Sequence, residues 1–450
     1  MKNIDFKKIK NQFNLIIEKL DYSKVSNQKI FTVSFDIDKN SVYMKNELLT
    51  SHCPFIFSSN TFSVCGFVRE KFFSFDTKNE YQDNKNKILK YISESFAIDN
   101  NSDTKTFIFG GLSFDLNQNY DDIWKDVPLI NFTLPRYILH DSKLIINLYT
   151  DVKMSLEKIK LKISTYIDEL EKMYSNNSIN FQPELTEIKN LKEKNIYCKK
   201  INHLLNKLKN KDESITKVVV SRIKKATFKN KIPLFNIFNN LVRKNTDNMN
   251  FLYSINDDIN IIGSSPELII SKNGIKIKSE SIAGTNYQTT TDDFTTNKKE
   301  INEQKIVTKY INVFFKNNTT NILFNDKPNI KKSSNIEHLW TSFSADQNNN
   351  KSILDLLYEL HPTPAIAGEP KKEALNIINS YDENRGWYGG PIGWIDNKLN
   401  GSFFLNIRSG LGINKDLYLF SGSGITDQSN ADNEWIETEY KFNLMEESLK

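Results

Sequence analysis

Cysteine is scarce in this sequence: three residues in 450, Cys53, Cys65 and Cys198, with no Cys-x-x-Cys spacing. Such an odd, dispersed set excludes a disulfide framework and a thiolate zinc site, and it points to a reducing, cytoplasmic setting. Histidine is sparse too, and the five, at 52, 140, 203, 338 and 361, show no paired ligand spacing, which argues against histidine-bound zinc. Long apolar runs are missing. The longest stretch free of Asp, Glu, Lys and Arg, Leu48 to Val68, carries His, Ser, Asn and Thr, and Met1 to Leu20 has Lys or Glu every few positions. Neither a membrane span nor a secretory leader is expected. A dominant sign of charge is also absent, because 60 Lys and Arg face 55 Asp and Glu, leaving only +5 spread over a large surface. Nucleic-acid binding is therefore not implied.

What is present is enough apolar material, 38% of the chain, for one large or two ordinary domains. Up to about residue 150 the chain reads as short alternating or aromatic runs, such as Ile30 to Phe35 and Thr106 to Phe109, broken by Asn, Asp and Gly. This part is expected to be strand-rich. Apolar residues at helical spacing predict helices over 152–174, 196–208, 233–244, 297–315, 352–360, 371–381 and 432–449. Strands are predicted over 216–221, 250–255, 259–263, 267–271 and 275–279, with three more between Trp387 and Ile425. The pattern favours an α+β layered fold rather than strict β-α-β alternation. A polar stretch from Ser175 to Glu187 reads as a linker dividing a variable N-terminal part, 1–175, from a motif-dense part, 190–450, the two sharing one core.

Three constellations carry chemistry. In the first, Lys217 heads the apolar run Val218-Val219-Val220, and Glu267 follows the tight turn Ser264-Ser265-Pro266. A lysine there can simply snorkel at a strand end. Held in one pocket, however, an amine and a carboxyl can exchange protons with a substrate if burial and neighbours tune them. In the second, Glu300 and Glu303 lie three apart on one predicted helix, as do Glu434 and Glu437 on another. Either pair alone reads as a solvated helix face, but two pairs facing each other would repel unless a hard cation such as magnesium lay between them. The third would hold an anion: Arg408 within a strand-like run, and Gly422-Ser423-Gly424 offering bare backbone N–H groups. Asp427 stands where a dinucleotide-binding loop would need its last glycine, so a nucleotide reading fails.

Taken in order, the segments KVVVSR (217–222), GSSPE (263–267), SESIAGT (279–285), KEINEQ (299–304), IEHLWTSFSA (336–345), LHPTPAIAGEP (360–370), ENRGWYGGPIGW (383–394), FLNIRSG (404–410), SGSGI (421–425) and EWIETEYK (434–441) resemble the chorismate-utilising enzymes. Within that family the likeness is to the isochorismate synthases. More loosely, Phe109 to Asp115 and Leu134-Pro135-Arg136 resemble the family's N-terminal motifs. The resemblance implies a fold of large antiparallel-rich sheets layered with helices outside. It also implies magnesium as cofactor and chorismate as substrate, whose hydroxyl moves from C4 to C2 as water adds. By the same likeness Lys217 is the general base and Glu267 the general acid, and a lysine at 217 separates water-using from ammonia-using relatives. Glu303 and Glu434 match the magnesium ligands, with Glu300 and Glu437 acting through water. Gly284, Thr285, His338, Tyr388, Arg408, Gly422, Ser423, Gly424 and Lys441 match substrate-holding positions. Salicylate synthase, which goes on to eliminate pyruvate, is the related alternative; a non-enzymatic basic binding protein is the remote one. No nucleic-acid or membrane partner is expected, and the chain is expected to be a monomer or weak dimer.

Overall fold

The computed structural model describes residues 4–20, 28–37, 54–99, 104–118, 122–175, 184–209, 215–287, 294–333, 336–381 and 384–450. Among these, twenty-one strands join into one hydrogen-bonded network, antiparallel throughout except where Phe31 and Thr32 run parallel to Phe96 and Ala97. Helices pack against the sheets, as in an α+β layered fold. Strands from opposite ends of the chain are neighbours. Phe107–Leu112 pairs with Pro391–Asp396, setting Ile108 opposite Ile395, and Phe55–Ser58 pairs with Met249–Ser254. One apolar cluster accordingly mixes Ile30, Ile88 and Phe132 with Val218, Leu357 and Ile425.

The strand that positions the site is Lys217–Phe228. Its first four residues are buried, and burial then alternates, as a sheet covered on one face requires. Asp416–Ile425 runs antiparallel beside it, placing Gly424 opposite Val219 and Gly422 opposite Ser221. On its other edge Gly368 pairs with Val218 and Glu369 with Lys217. A Cβ at Gly368, where φ is +138°, would come 2.1 Å from the Lys217 carbonyl oxygen, so only glycine lets the two chains approach this closely.

Two helices start at the site. In Lys298–Asn318 the Asn297 side chain caps the N–H groups of Lys299 (3.0 Å) and Glu300 (3.4 Å), and Glu300, Gln304, Val307 and Ile311 form the buried stripe. Ala431–Ser448 is capped likewise by Asn430, which accepts from Asp432 and Asn433. Glu300 and Glu434 thus sit in first turns, where the helix dipole favours negative charge.

Several expectations need correction. The part read as strand-rich also contains the helices Phe6–Glu18 and Lys78–Ser93. Between Trp387 and Ile425 there are four strands rather than three. The supposed linker is in part a strand, since Leu185–Asn190 pairs with Lys224 to Phe228, while 176–183 lies outside the described residues. Cys65 and Cys198 are unbridged, and Cys53 lies outside the described residues. No helix among the described residues is long and apolar enough to cross a membrane.

Candidate active site

A narrow cavity of about 80 Å³ opens where these elements meet, and Glu267, Thr285, Glu303, His338, Tyr388, Arg408 and Lys441 contribute its polar wall. Glu267 follows Pro266 at the start of the strand Leu268–Asn273, its N–H held by the Ser265 hydroxyl at 3.3 Å. The turn is pinned from behind: Lys331 Nζ donates to the Pro266 carbonyl (2.6 Å) and pairs with Glu280 (3.0 Å). Only 4% of Glu267 is exposed. Burial, reinforced by the Glu280 charge, pushes its carboxyl up to about 8, so it carries its proton at neutral pH. That is the state a general acid requires.

Lys217 is fully buried and stands one layer behind the cavity wall, with its Nζ 2.8 Å from Glu303 Oε1. The pair passes beside Gly424, where an added Cβ would meet Glu303 Oε1 at 2.5 Å and Lys217 Cε at 2.8 Å. Neither carbon nor carboxylate can stay, so Gly424→Ala is expected to break the pair and cut turnover about a hundredfold, the typical cost of a misplacement near 1 Å. Its melting temperature should fall as well, because breaking the pair leaves buried charge without its partner. Steady-state kinetics and a thermal melt check both.

The anion-holding groups converge on the same space. Arg408 lies not within a strand, as expected, but at a bend between Gly401–Leu405 and Ser409–Ile413, in left-handed backbone at φ +51°. Its Nη2 donates to His338 Nε2 at 3.0 Å, while His338 Nδ1 faces the Gly284 carbonyl at 3.1 Å. Those partners assign the proton to Nδ1. Burial first, and then Arg408, pull this imidazole down to about 3, so it is neutral and acts as a hydrogen-bonding wall. Gly284, at φ +76°, lets the chain approach Glu300, and the Thr285 N–H donates to Glu300 Oε2 at 2.7 Å. Lys441 Nζ bridges Glu437 (2.5 Å) and the Gly422 carbonyl (3.0 Å). The Tyr388 ring stacks on Phe420 at 5.1 Å, and its hydroxyl lies 3.2 Å from where a Gly422 Cβ would be.

Ser423 goes elsewhere. Strand alternation turns its side chain to the opposite face, where its Oγ meets Tyr197 Oη at 2.9 Å. Sequence reasoning also missed the apolar wall of Val219, Ala365, Ile366 and Ile407 and the role of Lys299. Arg385 went unnoticed within a recognised segment. Its guanidinium holds the carbonyls of Ile366 (2.8 Å) and Val219 (2.5 Å), tying two walls together.

Lysines stand among the four glutamates of the helices Lys298–Asn318 and Ala431–Ser448. Lys299 Nζ is 2.9 Å from Glu434 and 3.6 Å from Glu300, and Lys217 and Lys441 take Glu303 and Glu437. Burial opposes the Lys299 charge, yet Glu434 and its neighbours outweigh it and raise its proton affinity. Burial and Glu303 push Glu300 up to about 7; burial and Glu437 raise Glu434, which is 1% exposed. Among the described residues no three such side chains converge into a ready metal site. The donor set nevertheless fits a hard divalent cation, because carboxylates crowded enough to hold back protons want positive charge, and among the described residues no hydrogen-bond partner meets the buried Glu434 Oε2.

Known proteins resemble this chain in sequence and in fold. A family described as "Chorismate binding enzyme" matches residues 11–450. Isochorismate synthase MenF of Bacillus subtilis is 30% identical over 249 residues, 53% of this chain and 52% of that protein. Isochorismate synthase EntC of Escherichia coli K12 is 28% identical over 240 residues, 51% of this chain and 61% of that one. The matched region thus spans about half to three fifths of the length of these relatives. Among solved structures, MenF, the menaquinone-specific isochorismate synthase from Escherichia coli, shares the fold with a TM-score of 0.79 at 17% identity, covering 99% of both chains. Anthranilate synthase component I from Streptococcus pneumoniae shares it with a TM-score of 0.65 at 17% identity, over 93% of this chain and 92% of that one.

Proposed function

This chain belongs to the chorismate-binding enzyme family, and we propose that it is a magnesium-dependent isochorismate synthase acting in the cytoplasm. The observation that carries the reading is Glu267, a buried carboxyl that keeps its proton at neutral pH while facing a cavity walled by Arg408 and Lys441. Chorismate is a ring with two carboxylates and a C4 hydroxyl. Arg408 and Lys441 offset its negative charge where water is largely excluded, and each contact is stronger there than in bulk solvent. Glu267 donates its proton to the C4 oxygen, which leaves as water. Lys217, as the free amine, takes a proton from the water that attacks C2, and the two ring double bonds shift to new positions. Product and substrate are isomers, so nothing is oxidised or reduced. For Lys217 to act as base, its pairing with Glu303 has to be given up as substrate settles. Neutral His338 and the backbone at Gly284 and Thr285 position the ring between the two proton-transfer groups.

Magnesium would be held by Glu303 and Glu434, with Glu300 and Glu437 behind them, and when bound it supplies charge neutralisation for the ring carboxylate. Glu434→Ala is expected to raise the magnesium concentration for half-maximal activity by at least about tenfold. A magnesium titration of initial rates checks this, and an unchanged midpoint refutes the assignment.

The reading is tested by incubating the purified protein with chorismate, with and without magnesium, and resolving products by mass spectrometry. Isochorismate without released pyruvate is expected only when magnesium is present. Salicylate together with pyruvate would mark a salicylate synthase, and unchanged chorismate would overturn both.

A further inference from the structure

A second cavity, of about 200 Å³ and partly open to solvent, shares no lining residue with the first. It exceeds the roughly 150 Å³ in which a benzene ring is known to sit. Most of its wall is apolar, with Leu112, Phe114, Leu357 and Leu375 among its residues. Two lysines interrupt that wall, and each is the first residue of a helix: Lys78 of Lys78–Ser93 and Lys371 of Lys371–Ser380. Among the described residues Lys371 Nζ donates to the His361 carbonyl (2.8 Å) and the Tyr310 hydroxyl (3.4 Å), and Lys78 Nζ lies 5.5 Å from the centre of the Tyr358 ring. Neither has a carboxylate within ion-pair distance among the described residues. The one acidic group in the wall, Asp115, is already engaged: Oδ1 accepts from the Asn117 backbone and side chain at 2.9 Å, and Oδ2 from Asn379 at 3.5 Å. A ring-sized, largely apolar chamber with two lysines at helix N-termini and no carboxylate in ion-pair contact with either has the charge and shape of a receptor for one anionic group on a flat apolar body.

We propose that this cavity is a second binding site, separate from the active site, for a small aromatic or cyclic carboxylate whose ring lies against the leucines and whose carboxylate pairs with Lys371 and Lys78. Burial pulls the Lys371 ammonium down to about 8, with Asp115 opposing it only in part. The site also backs onto the catalytic machinery. The segment from His361 to Glu369 lines this cavity with His361 and Pro362 and the first cavity with Ala365 and Ile366. Phe114 in the wall lies 4.7 Å beneath Arg385, which holds Ile366 and Val219.

The test is fluorine NMR with 4-fluorobenzoate as probe, on the full chain without substrate, so it stands whether or not chorismate is turned over. Saturable binding to the wild type is expected. Lys371→Met should weaken it at least about tenfold, and Leu375→Trp, which fills the chamber, should abolish it even if the first variant folds poorly. Arg408→Ala should bind as wild type does, and the neutral 4-fluorobenzamide should bind at least tenfold more weakly. Absence of saturable binding would overturn the proposal. So would binding lost in Arg408→Ala but kept in both second-cavity variants, because the probe would then sit in the active site.

Discussion

Lys217→Ala is expected to lower chorismate turnover by about a thousandfold, the middle of the range for losing a general base, while leaving chorismate affinity within a few-fold of wild type. The Lys217 side chain is fully buried and pairs with Glu303 at 2.8 Å, whereas Arg408 and Lys441, the charges proposed to hold the substrate, line the cavity and are left in place by the substitution. Removing the lysine also leaves a largely buried carboxylate unpaired, so part of any loss in alanine is structural. Lys217→Met separates the two effects because it preserves the packing volume. Calorimetric titration with chorismate should show binding retained in both variants, and single-turnover kinetics should show both slow. Turnover by Lys217→Met near the wild-type rate would remove Lys217 as the base.

Glu267→Gln should be comparably damaging, with a loss of about a hundred- to ten-thousandfold, because the amide keeps the shape and cannot give up a proton to the departing hydroxyl. Burial, with Glu280 adding to it, sets the proton affinity of Glu267 near pH 8. The active form is the protonated one, so it prevails below that value and is lost above it. The kcat/KM of the wild type is therefore expected to hold through neutral pH and to fall about tenfold per unit once pH passes roughly 8. Moving the limb supplies a control: Glu280→Gln removes the charge that helps raise Glu267 and should shift the alkaline limb to lower pH. A limb unmoved in that variant would mean another group titrates.

Much of the site was legible because its chemistry is written at fixed spacings. Glu300 and Glu303, and Glu434 and Glu437, each share a helix face by the helical period alone, and Lys217 at the head of a valine run announces a buried strand end. What local pattern does not carry is which residues answer which. Lys299 immediately precedes Glu300 in sequence, yet nothing in its own segment says that it reaches Glu434 on another helix at 2.9 Å. Ser423 sits between two site glycines, but strand alternation sends its hydroxyl to Tyr197. Arg408 looked like a strand residue because its apolar neighbours alternate, and the bend that frees it depends on contacts such as Asn406 Nδ2 donating to the Trp387 carbonyl at 2.9 Å.

In the fold, the helix Lys78–Ser93 escaped notice because Lys and Asn dominate it, although Tyr81, Ile88, Leu89 and Ile92 mark a buried stripe and Thr77 caps it through the Glu80 N–H. The pairing of Phe107–Leu112 with Pro391–Asp396 joins segments nearly three hundred positions apart, and no periodicity within either one encodes such a partner.

The central claim is that an outside water adds at C2 as the original hydroxyl leaves C4, with Lys217 and Glu267 handling the two protons. Running the reaction with magnesium in water enriched in oxygen-18 tests it most directly. The account predicts isochorismate carrying one solvent oxygen, located at C2 by fragment mass. Isochorismate formed without the label would show the substrate's own hydroxyl migrating, and would contradict it.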